Sequence, residues 1–207
     1  MVLITEIRQV RSFCCIVLGS GEQYWLRRED MPSAGFSEGT EYDPVDFMNR
    51  IRICQYPCAL NHAVSMLARR ACSKKEISDR LIRLRYTEDV AELVIYKLEK
   101  EKLINDADFC EQWIRFRLSR RIGPSVIRRE LKIKGIPEDM ISAALSKTDA
   151  DEERNNAVSL ARKAWKRTDS AEDMRKRRRK VIESLVRKGY DWDTARTACD
   201  EAENEAE

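Results

Sequence analysis

The residues of this chain best placed to do chemistry are its cations. Between positions 113 and 134 stand Arg115, Arg117, Arg120, Arg121, Arg128, Arg129, Lys132 and Lys134, opposed within that stretch only by Glu130. A second run, Arg175, Lys176, Arg177, Arg178, Arg179 and Lys180, continues to Arg187 and Lys188. Guanidinium groups at this density set up a positive field that draws phosphates or a carboxylate-lined groove, and the attraction weakens as salt is added. Any single arginine can equally be solvating a helix face, so the functional reading belongs to the clusters rather than to individual residues. Trp113 and Phe116 lie among the cations and could stack on bases, although burial accounts for a helical aromatic at least as well.

Other chemistry is sparse. The single histidine, His62, follows Cys58 at helical spacing, with Cys54 and Cys72 nearby, so a metal site has to be weighed. Pro57 interrupts that run and the paired short spacings of a zinc module are missing, so neither a metal nor another cofactor is expected. Cys14, Cys15, Cys54, Cys58, Cys72, Cys110 and Cys199 are odd in number and scattered, which reads as reduced thiols rather than a disulfide framework. The pairs Glu88-Asp89 and Glu138-Asp139 open helices, where the positive end of the helix dipole explains them without catalysis. There is no glycine-rich phosphate loop and no nucleophile elbow, so the sequence reads as a protein with no catalytic residues.

The elements that must hold these cations follow from punctuation and periodicity. The chain has 207 residues, 36% of them charged and 43% hydrophobic, with a net charge of +3. No stretch approaches a membrane span and the first twenty residues lack the order of a secretory leader, so a soluble, cytoplasmic protein is expected. Residues 4–10, 13–18 and 23–26 are β-rich and are separated by turn chemistry at Gly19-Ser20-Gly21, which predicts a small hairpin or meander. Asp43-Pro44 then caps and opens a short helix carrying Phe47 and Ile51 on one face.

Beyond residue 58 the chain repeats. At an offset of 50 residues Ile77 meets Ile127, Leu81 meets Leu131 and Glu88-Asp89 meets Glu138-Asp139; at a further offset of 54, Val181, Leu185, Gly189, Tyr190 and Asp193 fall on Ile127, Leu131, Gly135, Ile136 and Asp139. Ser73 with Glu76 forms a capping box, Thr87 caps the next helix, Gly123-Pro124 opens one, Gly135 and Gly189 end others, Pro137 starts another and Asp191 caps the last. A further helical segment precedes each pair, at 59–71, 107–121 and 151–166. The expected fold is therefore all-α: three tandem three-helix repeats in an elongated, curved body, with a small N-terminal β hairpin or meander. The expected divisions are 1–57 for the β appendage and its short helix, 58–106 and 107–149 for the first two repeats, and 150–207 for the third with its acidic tail.

Three stretches together resemble a known family: the Ser73-x-x-Glu76-Ile77-x-x-x-Leu81 element, the link Leu103-Ile104-Asn105-Asp106-Ala107-Asp108-Phe109, and Gly123-x-x-x-Ile127-x-x-Glu130-Leu131-x-x-x-Gly135-Ile136. With the β-rich start they resemble the RecX regulatory proteins of bacteria over nearly the whole chain. The resemblance implies a protein that binds the RecA recombinase, above all its filament on single-stranded DNA. It further implies lying in the filament groove and suppressing ATP hydrolysis and strand exchange, in the setting of DNA repair, recombination and the SOS response. Arg115, Arg117, Arg120, Arg121, Arg128, Arg129, Lys132, Arg175 and Arg178 are then the residues expected to face RecA or DNA. A monomer is expected, with no membrane partner. The alternatives are a helical-repeat protein that binds single- or double-stranded DNA directly through its basic repeats, and a scaffold whose basic runs pair with its own acidic tail.

Overall fold

A computed structural model describes residues 1–168 and 173–205. The chain divides into two compact units, Met1–Asn105 and Asp106–Glu207. The final two positions of the acidic tail and residues 169–172 of the third repeat lie outside the described residues.

The first unit starts with strands β1 (Val2–Val10), β2 (Phe13–Leu18) and β3 (Gln23–Arg27), followed by a 3-10 turn at Arg28–Asp30 and a single helical turn α1 (Met31–Ala34). A two-residue strand β4 (Glu41–Tyr42), not anticipated from the sequence, pairs with Val2 and Leu3 and completes an antiparallel sheet of order β3-β2-β1-β4. The register slips by one residue at Thr5, a bulge whose hydroxyl donates to the Val17 carbonyl at 3.1 Å. One face of the sheet buries Ile4, Ile16, Leu18 and Leu26 against Phe36, Phe47 and Ile51.

Phe47 and Ile51 sit on α2 (Pro44–Leu67), capped by the Asp43 carboxylate, which accepts from the amides of Val45 and Asp46. Here the structure departs from expectation. The short helix of the β appendage and the first helix of the first repeat are one continuous helix running through Pro57. Proline removes one amide from the ladder, but the residues on either side bury against different partners, Ile51 and Cys54 against the sheet and Ala59 and Ala63 against the bundle, and that packing outweighs the missing bond.

The first bundle adds α3 (Lys74–Arg83) and α4 (Glu88–Lys100). The capping box at Ser73 and Glu76 is present. Thr87 takes the N-cap position of α4, but its side chain caps nothing. Its hydroxyl instead donates to Gln55 Oε1 at 3.2 Å. Gln55, buried on α2, also accepts from the Thr87 amide at 2.9 Å and donates to the Trp25 carbonyl at 2.8 Å, tying sheet to bundle.

The second unit holds α5 (Asp106–Ser119), α6 (Pro124–Ile133) and α7 (Glu138–Leu145), then α8 (Ala150–Lys166), α9 (Met174–Arg187) and α10 (Trp192–Asn204). Each bundle keeps its own core. The repeat frame is visible in the burial: Ile77, Ile127 and Val181, and likewise Leu81, Leu131 and Leu185, are all at most 1% exposed. Gly135 and Gly189 take the left-handed conformation that ends a helix, at φ 81° and 97°. In the first bundle the same position is Arg85, also left-handed at φ 70°. The protein is mostly helical, three three-helix domains behind a small antiparallel sheet.

Candidate partner-docking surface

Helices α5 and α6 meet through Ile114, Leu118, Ile127 and Leu131, and beside that core an internal polar cluster forms. Glu130, the lone acid of the basic stretch, accepts from Trp113 Nε1 at 3.0 Å and pairs with Arg117 at 2.5 Å. The Arg117 guanidinium lies 5.9 Å from the Trp113 ring centre, and Lys134 Nζ lies 4.1 Å from the same ring. Arg117 is thus a structural cation, neutralised inside its own bundle. On the far side of α6, Glu138 at the start of α7 takes both Arg128 and Lys132, the latter at 2.9 Å.

Three further cations of this bundle point outward. Arg115, Arg120 and Arg129 are exposed and make no ion pair among the described residues. Arg120 lies over the Phe116 ring, 5.4 Å from its centre, and Phe116 is itself 47% exposed. Arg121 is half-buried just past α5 in the left-handed conformation at φ 54°, where a cation also complements the helix C-terminus. Of the seven candidates on the second bundle, three therefore stand free on its surface.

The third bundle treats its cations differently. Arg178 pairs with Asp200 and with Glu203 on α10, and hydrogen bonding to Asp200 is the largest cause raising its pKa further above the ordinary arginine value. Arg154 and Arg162 on α8 pair with Glu201 and Glu205. Arg175 alone of the two candidates here is exposed and unpaired among the described residues. Sequence reasoning missed its neighbour Trp192, 56% exposed, which with Arg175, Arg179 and Ile182 lines an open groove of about 590 Å³. The signal was available: in the repeat frame Trp192 occupies the place of Glu88 and Glu138, a large aromatic where the other copies carry an acid.

Thiol and imidazole chemistry finds no assembly among the described residues. Cysteines 14, 15, 54, 72, 110 and 199 are buried thiols, and burial pushes Cys199 up to about 11. His62 Nδ1 sits 2.8 Å from the Tyr86 hydroxyl. Among the described residues no group of three or more metal-ligating side chains comes together, and no helix is long and apolar enough to cross a membrane.

Fold and surface together define a class: a tandem array of three-helix bundles that offers unpaired arginines and exposed aromatics. Family models for the first, second and third three-helix domains of RecX match residues 59–98, 105–145 and 151–199. The chain is similar to the regulatory protein RecX of Mycobacterium avium, with 34% identity over 63% of this chain and 76% of that protein. It is likewise similar to that of Corynebacterium efficiens, with 36% identity over 67% and 70%. Among solved structures, the crystal structure of RecX from Lactobacillus salivarius matches with a TM-score of 0.65 and 30% identity, covering 72% of this chain and 96% of that one. The chain belongs to the RecX family, whose named relatives are regulatory proteins.

Proposed function

We propose that this protein binds the RecA recombinase and its filament on single-stranded DNA, lies in the filament groove, and lowers ATP turnover and strand exchange. The observation that carries the reading is the set of exposed cations on the second bundle that make no ion pair among the described residues, Arg115, Arg120 and Arg129, beside the exposed ring of Phe116. Charges that a fold leaves uncompensated are available to a partner with acidic or phosphate-bearing surface, and RecA is the partner that family membership points to. Arg175 on α9 extends the same chemistry to the third bundle. In this reading the protein works in the cytoplasm as a monomer, needs no cofactor and performs no bond-making step.

A second reading, direct binding of DNA through the basic repeats, is favoured by one specific feature. Phe116 and Trp192 are both exposed close to arginines, and such aromatics can stack on unpaired bases. The two readings separate in a titration of RecA-coated single-stranded DNA. RecA regulation requires ATP turnover to fall at protein concentrations well below those that coat bare DNA. A fall that begins only when the DNA itself is saturated supports direct binding instead.

A further inference from the structure

The start of α6 and the end of α9 complete each other. A helix begins with amides that have no partner inside it and ends with carbonyls in the same condition. In the first bundle Ser73 solves the problem locally, its hydroxyl accepting from the Glu76 amide. The aligned residue of the second bundle is Gly123, which has no side chain to accept with, and α6 carries no side-chain cap. Its partners come from the third bundle: the Gly123 amide donates to the Lys188 carbonyl at 2.8 Å and the Ser125 amide donates to the Gly189 carbonyl at 3.0 Å. The negative end of α9 therefore abuts the positive end of α6.

This contact is backbone on backbone. A β-carbon on Gly123 would stand 2.4 Å from the Gly189 carbonyl carbon, and one on Gly189 would stand 2.7 Å from the Val126 nitrogen. Gly123 has φ −77° and ψ 163°, a conformation open to any residue, so only the close approach demands glycine there. A separate bond, from Asn156 Nδ2 on α8 to the Leu118 carbonyl on α5 at 3.3 Å, joins the same two bundles. Tyr190, 2% exposed, follows Gly189 directly. Burial pushes its hydroxyl up to about 12, with Glu153 adding to the shift and Arg121 opposing it.

We propose that this end-to-end joint locks the second and third bundles into one docking body, so that the free cations of α5, α6 and α9 meet an assembled partner as a single preset footprint. Gly123 and Gly189 are positioning residues for that footprint. The proposal rests on the RecA reading of those cations. Two bundles joined only through the short segment between α7 and α8 would have to be ordered at the moment of binding; fixed beforehand, they are spared that loss.

The test uses Gly123→Ala and Gly123→Ser in the full chain, followed by amide hydrogen exchange and by inhibition of RecA ATP turnover. Gly123→Ala is expected to speed exchange at Ser125 by about tenfold or more while Leu131 and Leu185 keep their protection. Half-maximal inhibition should then require about tenfold more protein. Gly123→Ser gives α6 a cap of its own, as Ser73 gives α3, so helix content should hold while the same loss of inhibition appears. Full inhibition by a variant whose Ser125 amide has been released would overturn the positioning role, and unchanged exchange at Ser125 would overturn the joint itself. Should the wild-type chain leave RecA turnover untouched, the RecA reading fails, and the exchange measurement still decides the joint.

Discussion

The second and third bundles carry similar runs of arginine and answer them to different extents, although the third also leaves Arg175 without an ion pair among the described residues. In the third, α10 and its C-cap residue lay Asp200, Glu201, Glu203 and Glu205 against arginines of α8 and α9, so Arg154, Arg162 and Arg178 are answered from within the fold. In the second, two acids suffice for part of the set, Glu130 for Arg117 and Glu138 for Arg128 and Lys132, and Arg115, Arg120 and Arg129 are left over. Local density of positive charge does not distinguish the two. The supply of carboxylates on the neighbouring helix does, and it separates cations that hold a bundle together from cations free to hold a partner.

The largest effect should come from reversing charge where no ion pair forms among the described residues. Arg115→Glu combined with Arg129→Glu is expected to weaken the complex with the RecA filament by about 2 kcal/mol, roughly thirtyfold, through like-charge repulsion across the interface. Thermal unfolding should change little, because neither residue makes an ion pair among the described residues and Arg115 has only a coulombic attraction to Glu111 to lose. An unaltered affinity, measured by titration at fixed salt, removes this surface from the account.

Arg178→Ala should show the reverse pattern. It strips Asp200 and Glu203 of their shared cation, and Glu203 is only 15% exposed, so a stability loss of up to about 1 kcal/mol is expected in denaturant unfolding. Filament affinity should stay within about twofold of wild type. If affinity falls while stability holds, the contrast between the two bundles is wrong.

The smallest effect sharpens the joint region. The Asp191 carboxylate caps α10, and hydrogen bonding from the Thr194 amide is the main cause holding its pKa below the ordinary aspartate range. A depressed folded value means the cap's contribution is complete above the unfolded pKa of about 3.9 and is lost as pH falls through the folded value. Asp191→Asn keeps the capping geometry, so it should cost only about 0.3 kcal/mol at neutral pH while flattening that acid limb of the stability curve.

What the sequence disclosed was periodic or local. Ile77, Ile127 and Val181 could be placed in one buried register because repetition states it directly. Asp43, Ser73 and Asp191 could be placed as caps because a cap acts within three residues. Contacts set by the docking of one helix on another were out of reach. Asp200 and Glu203 answer Arg178 from 22 and 25 residues away, and no spacing rule separates Arg178 from Arg175. Gly123 and Gly189 read as ordinary punctuation, yet the first faces the second across a bundle boundary. Pro57 read as a break for the usual reason and was overridden by burial on both sides of it. The groove beside Trp192 went unseen because an aromatic at a helix start is ordinarily assigned to a core.

The most direct measurement is a pull-down of RecA by this protein with and without ATP and single-stranded DNA. Retention of RecA should rise sharply when ATP and DNA are both present, and the Arg115→Glu, Arg129→Glu protein should lose that rise. Equal retention in all conditions, or capture of DNA with no RecA, would contradict a protein that docks its uncompensated arginines on the assembled filament.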